Sequence, residues 1–249
     1  RTATLAAICL LIAACSNKQP RSTANGKHTS AADTTRLANP HPHKDDTQTT
    51  RTIRKIVPIA FDFTNICSVG GINIEYTQAE HCSIELEGDS ALLPHVTVNI
   101  ESRQLTLGLQ TDGNKDINLY GSNYDITAHI TAPTLQYASL CASGNFTSKG
   151  KWINPNIHIG SLSTGSFYIE DLECETFKFE GTDYDHSTFK QIKANTATII
   201  CFRKSHAEFN IDVNDLLVIA ENESRLRLNG TAKKKHIETR GQATVEDNL

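Results

Sequence analysis

The feature that most limits how this chain can fold is a recurrence of about twenty residues through its second half. Six segments follow one another: Ala142-Ser-Gly-Asn-Phe146, Ser163-Thr-Gly-Ser-Phe167, Asp185-His-Ser-Thr-Phe189, Ser205-His-Ala-Glu-Phe209, Asn222-Glu-Ser-Arg-Leu226 and Gly241-Gln-Ala-Thr-Val245. Their closing apolar residues lie 21, 22, 20, 17 and 19 residues apart, and a tiny residue stands two positions before each: Gly144, Gly165, Ser187, Ala207, Ser224 and Ala243. Side chains two apart on a strand share a face, so the tiny and the large residue point inward together. A unit this short cannot bury an apolar face alone and must stack on its neighbours. The reading is an all-β, parallel β-helix-like solenoid with coils of about twenty residues, three short strands to a coil. A β-sandwich would also alternate, but it would not need the tiny and large pair to recur in step.

Upstream, alternation continues and helical periodicity is nearly absent. Ile72-Asn-Ile-Glu-Tyr76, Cys82-Ser-Ile-Glu-Leu86, Val96-Thr-Val-Asn-Ile100 and Leu105-Thr-Leu-Gly-Leu109 read as strands, the last two joined by a hairpin turn at Glu101-Ser-Arg-Gln104. Asp125-Ile-Thr-Ala-His-Ile130 runs into Pro133, which removes a ladder donor and ends a strand. The folded body is therefore read as residues 51–249, with N-terminal strands over 51–132 and repetitive coils over 133–249.

The first fifteen residues carry a different signal. Arg1 is followed by an apolar run of about ten residues, half the roughly twenty that a membrane-spanning helix needs, which reads as a signal-peptide core. Ile12-Ala-Ala-Cys15 resembles the bacterial lipobox, so residues 1–14 are read as a signal peptide and Cys15 as the lipidated residue. Residues 16–50 hold a single large aliphatic side chain, Leu37, among Ser, Thr, Asn, Pro and charges, the composition of a flexible linker. The formal net charge is −4, and the longest basic run, Lys233-Lys234-Lys235, reads as a solvated turn. Neither suggests a nucleic-acid partner.

Candidate chemistry is sparse. Cys67, Cys82, Cys141, Cys174 and Cys201 are odd in number and lack zinc-site spacing, leaving buried thiols and disulfides both open. His186 and His206 each precede a repeat phenylalanine by three positions, which stacks them about 4.8 Å apart on adjacent coils. With Asp183 and Asp185 nearby they are the best metal-ligand candidates, yet their outward counterparts Ser143, Thr164, Glu223 and Gln242 are ordinary polar residues. The acidic run Glu170-Asp171-Leu-Glu-Cys-Glu175 offers carboxylates for calcium or, with Asp183, for glycosidic chemistry, but lacks a catalytic arrangement. His95, His129 and His158 read as structural or exposed. No GxSxG, glycine-rich phosphate loop or HExxH occurs. No catalytic residue, cofactor or metal ion is assigned.

The order of these segments resembles the GIN-domain family, the auto-transporter adhesin head common in Bacteroidota. The resemblance is carried by Phe61-Asp-Phe-Thr-Asn-Ile66 leading into Gly70-Gly-Ile-Asn-Ile-Glu-Tyr76, by Leu86-Glu-Gly-Asp-Ser-Ala-Leu-Leu93 and Leu105-Thr-Leu107, and by Ile130-Thr-Ala-Pro-Thr-Leu135. The Ser-Gly turns of Cys141-Ala-Ser-Gly-Asn-Phe146 and Leu162-Ser-Thr-Gly-Ser-Phe167 complete it, whereas Asp185-His-Ser187 and Ser205-His-Ala207 have lost the glycines. It covers about residues 56–247 and implies a β-helical adhesin-like or scaffold domain that binds a glycan or an envelope protein. The alternative is a polysaccharide lyase or hydrolase on the same scaffold. Surface-bound lipoproteins of that phylum commonly carry acids soon after the lipid cysteine. Ser16-Asn-Lys-Gln-Pro-Arg21 has none, so an outer-membrane anchor facing the periplasm is expected over surface display.

Overall fold

The computed structural model describes residues 51–110 and 124–249. The signal peptide, Cys15 and the linker all lie outside the described residues. Fifteen strands and one 3-10 turn account for the fold: β1 (Thr52–Ile56), β2 (Asn65–Ser68), β3 (Asn73–Gln78), β4 (Ser83–Asp89), the turn Leu93–His95, β5 (Val96–Glu101), β6 (Gln104–Leu109), β7 (Ile126–Ala132), β8 (Tyr137–Leu140), β9 (Asn145–Ile153), β10 (Asn156–Ser161), β11 (Ser166–Gly181), β12 (His186–Cys201), β13 (His206–Asn222), β14 (Arg225–Gly241) and β15 (Thr244–Asn248). The parallel β-solenoid expected from the sequence is present. From β8 onward every pairing is parallel and each coil stacks on the one before it.

Strands β11 to β14 are sixteen or seventeen residues long, and each follows its partner along most of that length, the β11–β12 ladder lacking pairs only at Glu170, Asp171 and Glu175 between Tyr168 and Gly181. Within the ladders of the described residues the register shifts twice. Between β9 and β11 it slips where Ile169 pairs with Ser148 but Asp171 pairs with Lys151. The extra residue is Gly150, at φ 71°, in open space where a Cβ would touch nothing. Its N–H donates to Glu170 Oε2 at 2.8 Å, so the bulge is satisfied from the next coil. The second slip falls between Phe189 and Ile192, opposite Phe209 and Ile211. These two slips shorten the coil from 21 to 20 and then to 19 residues, as the pairs Asn145↔Ser166, His186↔His206 and His206↔Arg225 show.

The repeat is real, but its phase differs from the one read in the sequence. Phe167 pairs with Phe146 as expected, whereas Ile169, not Phe167, pairs with Phe189. Phe209 in turn pairs with Leu228, and Leu226 with Ala207. Two inward columns run side by side, one of Phe146, Phe167, Ser187, Ala207, Leu226 and Val245, the other of Ser148, Ile169, Phe189, Phe209 and Leu228. Inward positions recur every two residues, so a large side chain can fill either site while its neighbour stays small. Ser187 beside Phe189 and Ala207 beside Phe209 fill about the same space as Phe146 beside Ser148, in keeping with a close-packed interior. The corner column consequently holds Gly144, Gly165, Asp185, Ser205, Ser224 and Ala243. His186 has Asn145, Ser166, Arg225 and Thr244 as its counterparts.

The aromatic rings of the core gather in two clusters. Phe189 and Phe209 stack at 4.7 Å with an interplanar angle of 10°, and Phe179 packs edge-on against both at 5.1 and 5.4 Å. Toward the N-terminal end Tyr76, Phe146 and Trp152 form a second cluster. Both of its polar atoms are satisfied: Trp152 Nε1 donates to Leu135 O at 3.0 Å and Tyr76 Oη to Ala132 O at 3.2 Å.

In the N-terminal part chain order and spatial order diverge. β6 and β7 are the last parallel strands of the stack, and β2 and β3 are inserted between them and β8 and β9, all four contacts being parallel. Antiparallel strands are added at this end of the stack: β4 on β7 and β5 on β6, both formed after the chain has passed through β2 and β3, and β1, which precedes them, on β4. The turn Ser102-Arg103 has φ of 50° and 64°, the left-handed pair that matches hairpin twist. The side chain of Gln78 bonds Pro133 O at 2.8 Å and Ile153 O at 2.9 Å and accepts from Ile153 N at 2.7 Å, tying the inserted coil to the next. Lys233, Lys234 and Lys235, expected in a turn, lie within β14 and are exposed there. Like charges along a strand margin oppose edge-to-edge pairing.

Candidate functional site

The outer face of the ladder from β12 to β15 carries a shallow trough of about 590 Å³, walled by His186, Thr188, His206, Glu208, Arg225 and Arg227 and closed by Thr244 and Glu246. These are the outward residues of register-paired strands, so the trough is a direct product of the stacking. His186 and His206 are register partners, and their rings stack at 4.9 Å with only 9° between their planes. His186 Nδ1 lies 3.2 Å from Tyr184 O. Desolvation, then the neighbouring His186 and Arg225, hold the His206 imidazole below its usual pKa. Beside the histidines, Arg227 bridges Glu246 at 2.9 Å and Glu208 at 3.8 Å. Tyr168, the register partner of Thr188, lies on the next coil with Lys190 over its ring at 4.9 Å, and Lys204 lies 5.4 Å over the exposed ring of Tyr184, two residues before His186.

The carboxylates raised by the sequence do not converge. Asp183 is held by Arg203 at 2.7 and 2.8 Å on an exposed corner, both residues adopting left-handed backbone. Glu173 pairs with Lys151, which holds its carboxyl below the usual range, and Glu170 caps Gly150. Asp185 faces inward and is completely buried. Burial pushes its carboxyl up to about 7, while Ser205 and Ser187 hydrogen bonds pull the other way. Gly181 makes the room, since a Cβ there would lie 3.1 Å from Asp185 Oδ2 and 2.5 Å from Ser205 Oγ. No grouping of three or more His, Cys, Asp or Glu side chains able to hold a metal ion occurs among the described residues.

His129 and His158 have structural partners. His129 sits between Glu75 at 3.0 Å and Glu87 at 2.9 Å, crossing three strands of the N-terminal edge. His158 meets Glu180 at 2.8 Å, and its ring packs edge-on against Tyr137 at 5.0 Å. Cys174 and Cys201 are separate buried or half-buried thiols pushed up to about 12 by burial. Cys67 and Cys141, by contrast, bring their sulfurs to 3.5 Å on adjacent coils. The trough's arginines and flanking tyrosines, and the pairing of these two cysteines, escaped the sequence reading. Each depends on register between coils, and only the His186–His206 match left a signal there.

Residues 62–248 match the family described as "Putative auto-transporter adhesin, head GIN domain". No curated protein is similar to the chain in sequence. Among solved structures, a "putative adhesin" from Bacteroides fragilis shares the fold with a TM-score of 0.59 and 16% identity over 80% of this chain and 97% of that one. A "putative lipid binding protein" from Parabacteroides distasonis matches at 0.52 and 13%, over 78% and 96%. A "putative adhesin" from the same species matches at 0.51 and 14%, over 80% and 98%. With three-quarters of its length matched in the order the segments suggest, the chain belongs to the GIN head-domain family of adhesin-like β-solenoids.

Proposed function

We propose that this protein is a non-catalytic envelope lipoprotein, anchored through Cys15, whose solenoid head binds a glycan or an envelope protein on the trough between His186 and Glu246. The observation that carries the binding role is the trough itself. It is open, it is built from register-paired strands, and it gathers two imidazoles, two guanidiniums and two carboxylates, with the exposed Tyr184 two residues before His186. Aromatic faces with nearby hydrogen-bonding side chains suit a hydroxyl-rich ligand, and a ladder on a scaffold holds them in place without reorganisation. The histidines stack on each other and the acids pair with Arg227 rather than converging on a reacting point, which supports binding over polysaccharide cleavage. Glycan-array binding by the wild-type chain, lost in Arg225→Ala and Tyr184→Ala at unchanged stability, tests the assignment. Retention of every glycan and protein contact by both variants contradicts it.

The anchor is supported by Ile12-Ala-Ala-Cys15 and the polar linker after it, and the periplasmic face of the outer membrane by the lack of an acid before Asp33. Cys15→Ser is expected to move the protein from the detergent phase to the aqueous phase. Protease applied to intact cells is expected to leave the protein whole until lysis. Digestion in intact cells overturns the periplasmic placement and favours surface display.

A further inference from the structure

We infer that Cys67 and Cys141 are a redox pair that closes to a disulfide and locks the inserted coil into the stack. Cys67 is the third residue of β2, and Cys141 opens the bend after β8, the strand paired in parallel with β2. Cys141 N–H donates to Ser68 O at 2.8 Å, which fixes the bend beside the strand, and the two sulfurs stand 3.5 Å apart. A disulfide needs about 2.05 Å between sulfurs. Closing the gap requires rotation of two side chains on backbone already held together. Among the described residues no disulfide or hydrogen bond joins Cys82, Cys174 or Cys201 to another cysteine; Cys82, for example, turns its sulfur to Phe63 O at 3.9 Å.

Access is asymmetric in a way that suits thiol exchange. Cys67 is buried, 7% exposed, whereas Cys141 is half-buried at the surface. The Cys141 thiol beside it holds Cys67 down to about 7, with Ser139 assisting against burial. The sequence of bonds follows. Cys141, as thiolate, attacks one sulfur of a small disulfide such as oxidised glutathione, forming a mixed disulfide and expelling one glutathione thiolate. The Cys67 thiolate then attacks the Cys141 sulfur, forming the intramolecular bond and expelling the second thiolate. Two protein protons leave with the two thiols, and two electrons pass to the oxidant. The two cysteines are 74 residues apart, and the closed loop takes in β3 to β8, the region where chain order departs from coil order. A link closing so long a loop restricts the unfolded chain strongly.

The full-length chain, incubated with oxidised glutathione, quenched in acid and mapped without reduction, tests this. The expected product is a peptide pair joined through Cys67 and Cys141, lighter by two hydrogens, with two glutathione thiols released per chain. Its denaturant midpoint should lie above that of the reduced chain and return on adding dithiothreitol. Cys141→Ser should abolish the link and the midpoint shift, and Cys174→Ser should leave both intact. A stable glutathione adduct on Cys141 with Cys67 still alkylatable, or a link from Cys67 to any other cysteine, overturns the inference. The wild-type peptide map decides the matter even if a variant fails to fold.

Discussion

The two halves of this solenoid use the same parallel ladders but assemble them differently. From β9 to β15 the chain climbs one coil at a time, and every ladder partner lies 19 to 21 residues away. Before β8 the partners of β3 lie on β7 and β9, so a strand is sandwiched between two others that follow it in the chain, and the end is closed by antiparallel β1, β4 and β5. The ordered half can add coils with local contacts alone. The inserted half must hold a place open between coils, which makes its contacts long-range and its closure dependent on side chains such as Gln78 and Lys149. A solenoid can thus be repetitive in space without being repetitive along the chain.

The largest expected effect tests the ordered half. Phe209→Ala, which removes a ring stacked on Phe189, should cost about 3–5 kcal/mol because little can collapse into the gap. Ile74→Ala in the inserted coil, also fully buried, should cost about 2–5 kcal/mol. Thr188→Ala, outward on the coil next to that of Phe209, should change stability by less than about 0.5 kcal/mol. Denaturant midpoints read all three. A small loss at Phe209 would break the assignment of two alternating inward columns.

Asp185 gives the next effect, on the order of 3 kcal/mol, and it depends on pH. Its pKa is raised in the folded chain to about 7 from 3.8, so the folded state keeps a proton that the unfolded state releases. The stability it contributes is complete below about pH 4 and declines as pH rises toward 7. Asp185→Ser, matching Ser205 and Ser224 in its column, should therefore stabilise the chain at pH 8, with the gain shrinking toward pH 4. A gain that stays flat with pH would show that Asp185 is ionised in the fold. Gly165→Ala is expected to cost about 1–3 kcal/mol, since the new Cβ would meet Ala142 O at 2.8 Å and Gly144 O at 2.9 Å. Glu75→Gln, at the half-exposed junction of His129 and Lys149, should cost about 0.5 kcal/mol at low salt and less at high salt.

How much the sequence disclosed follows the same division. The coil length, the all-β class and the hairpin at Ser102-Arg103 were legible because each arises from contacts one coil or one turn apart. The phase of the repeat was not. Phe167 to Phe189 spans 22 residues and Phe209 to Leu226 spans 17, yet the true offsets are 20 and 19; large side chains had moved to the adjacent inward site and later moved back. Alternation constrains which face a residue takes, not which of two neighbouring inward sites holds the ring. The insertion of β2 and β3 left no periodic trace, because its 72-residue offset, seen in Asn65↔Tyr137 and Glu75↔Thr147, joins one inserted coil to the next coil and does not repeat from coil to coil. At the trough, the histidine stack was foreseen from a matching offset, while Arg225 and Arg227 belong to a repeat whose phase had been misread.

Zero-length cross-linking of carboxylates to lysines, read by peptide mass, tests the two-way assembly most directly. Lys151 lies 2.5 Å from Glu173 across ordered coils, and Lys149 lies 2.6 Å from Glu75 across the inserted one. Both amide links, Lys151–Glu173 and Lys149–Glu75, are expected in the monomeric chain. Formation of Lys151–Glu173 with Lys149 joined instead to a carboxylate of β4, or to none, would contradict the insertion of β2 and β3 between the outer coil and β9.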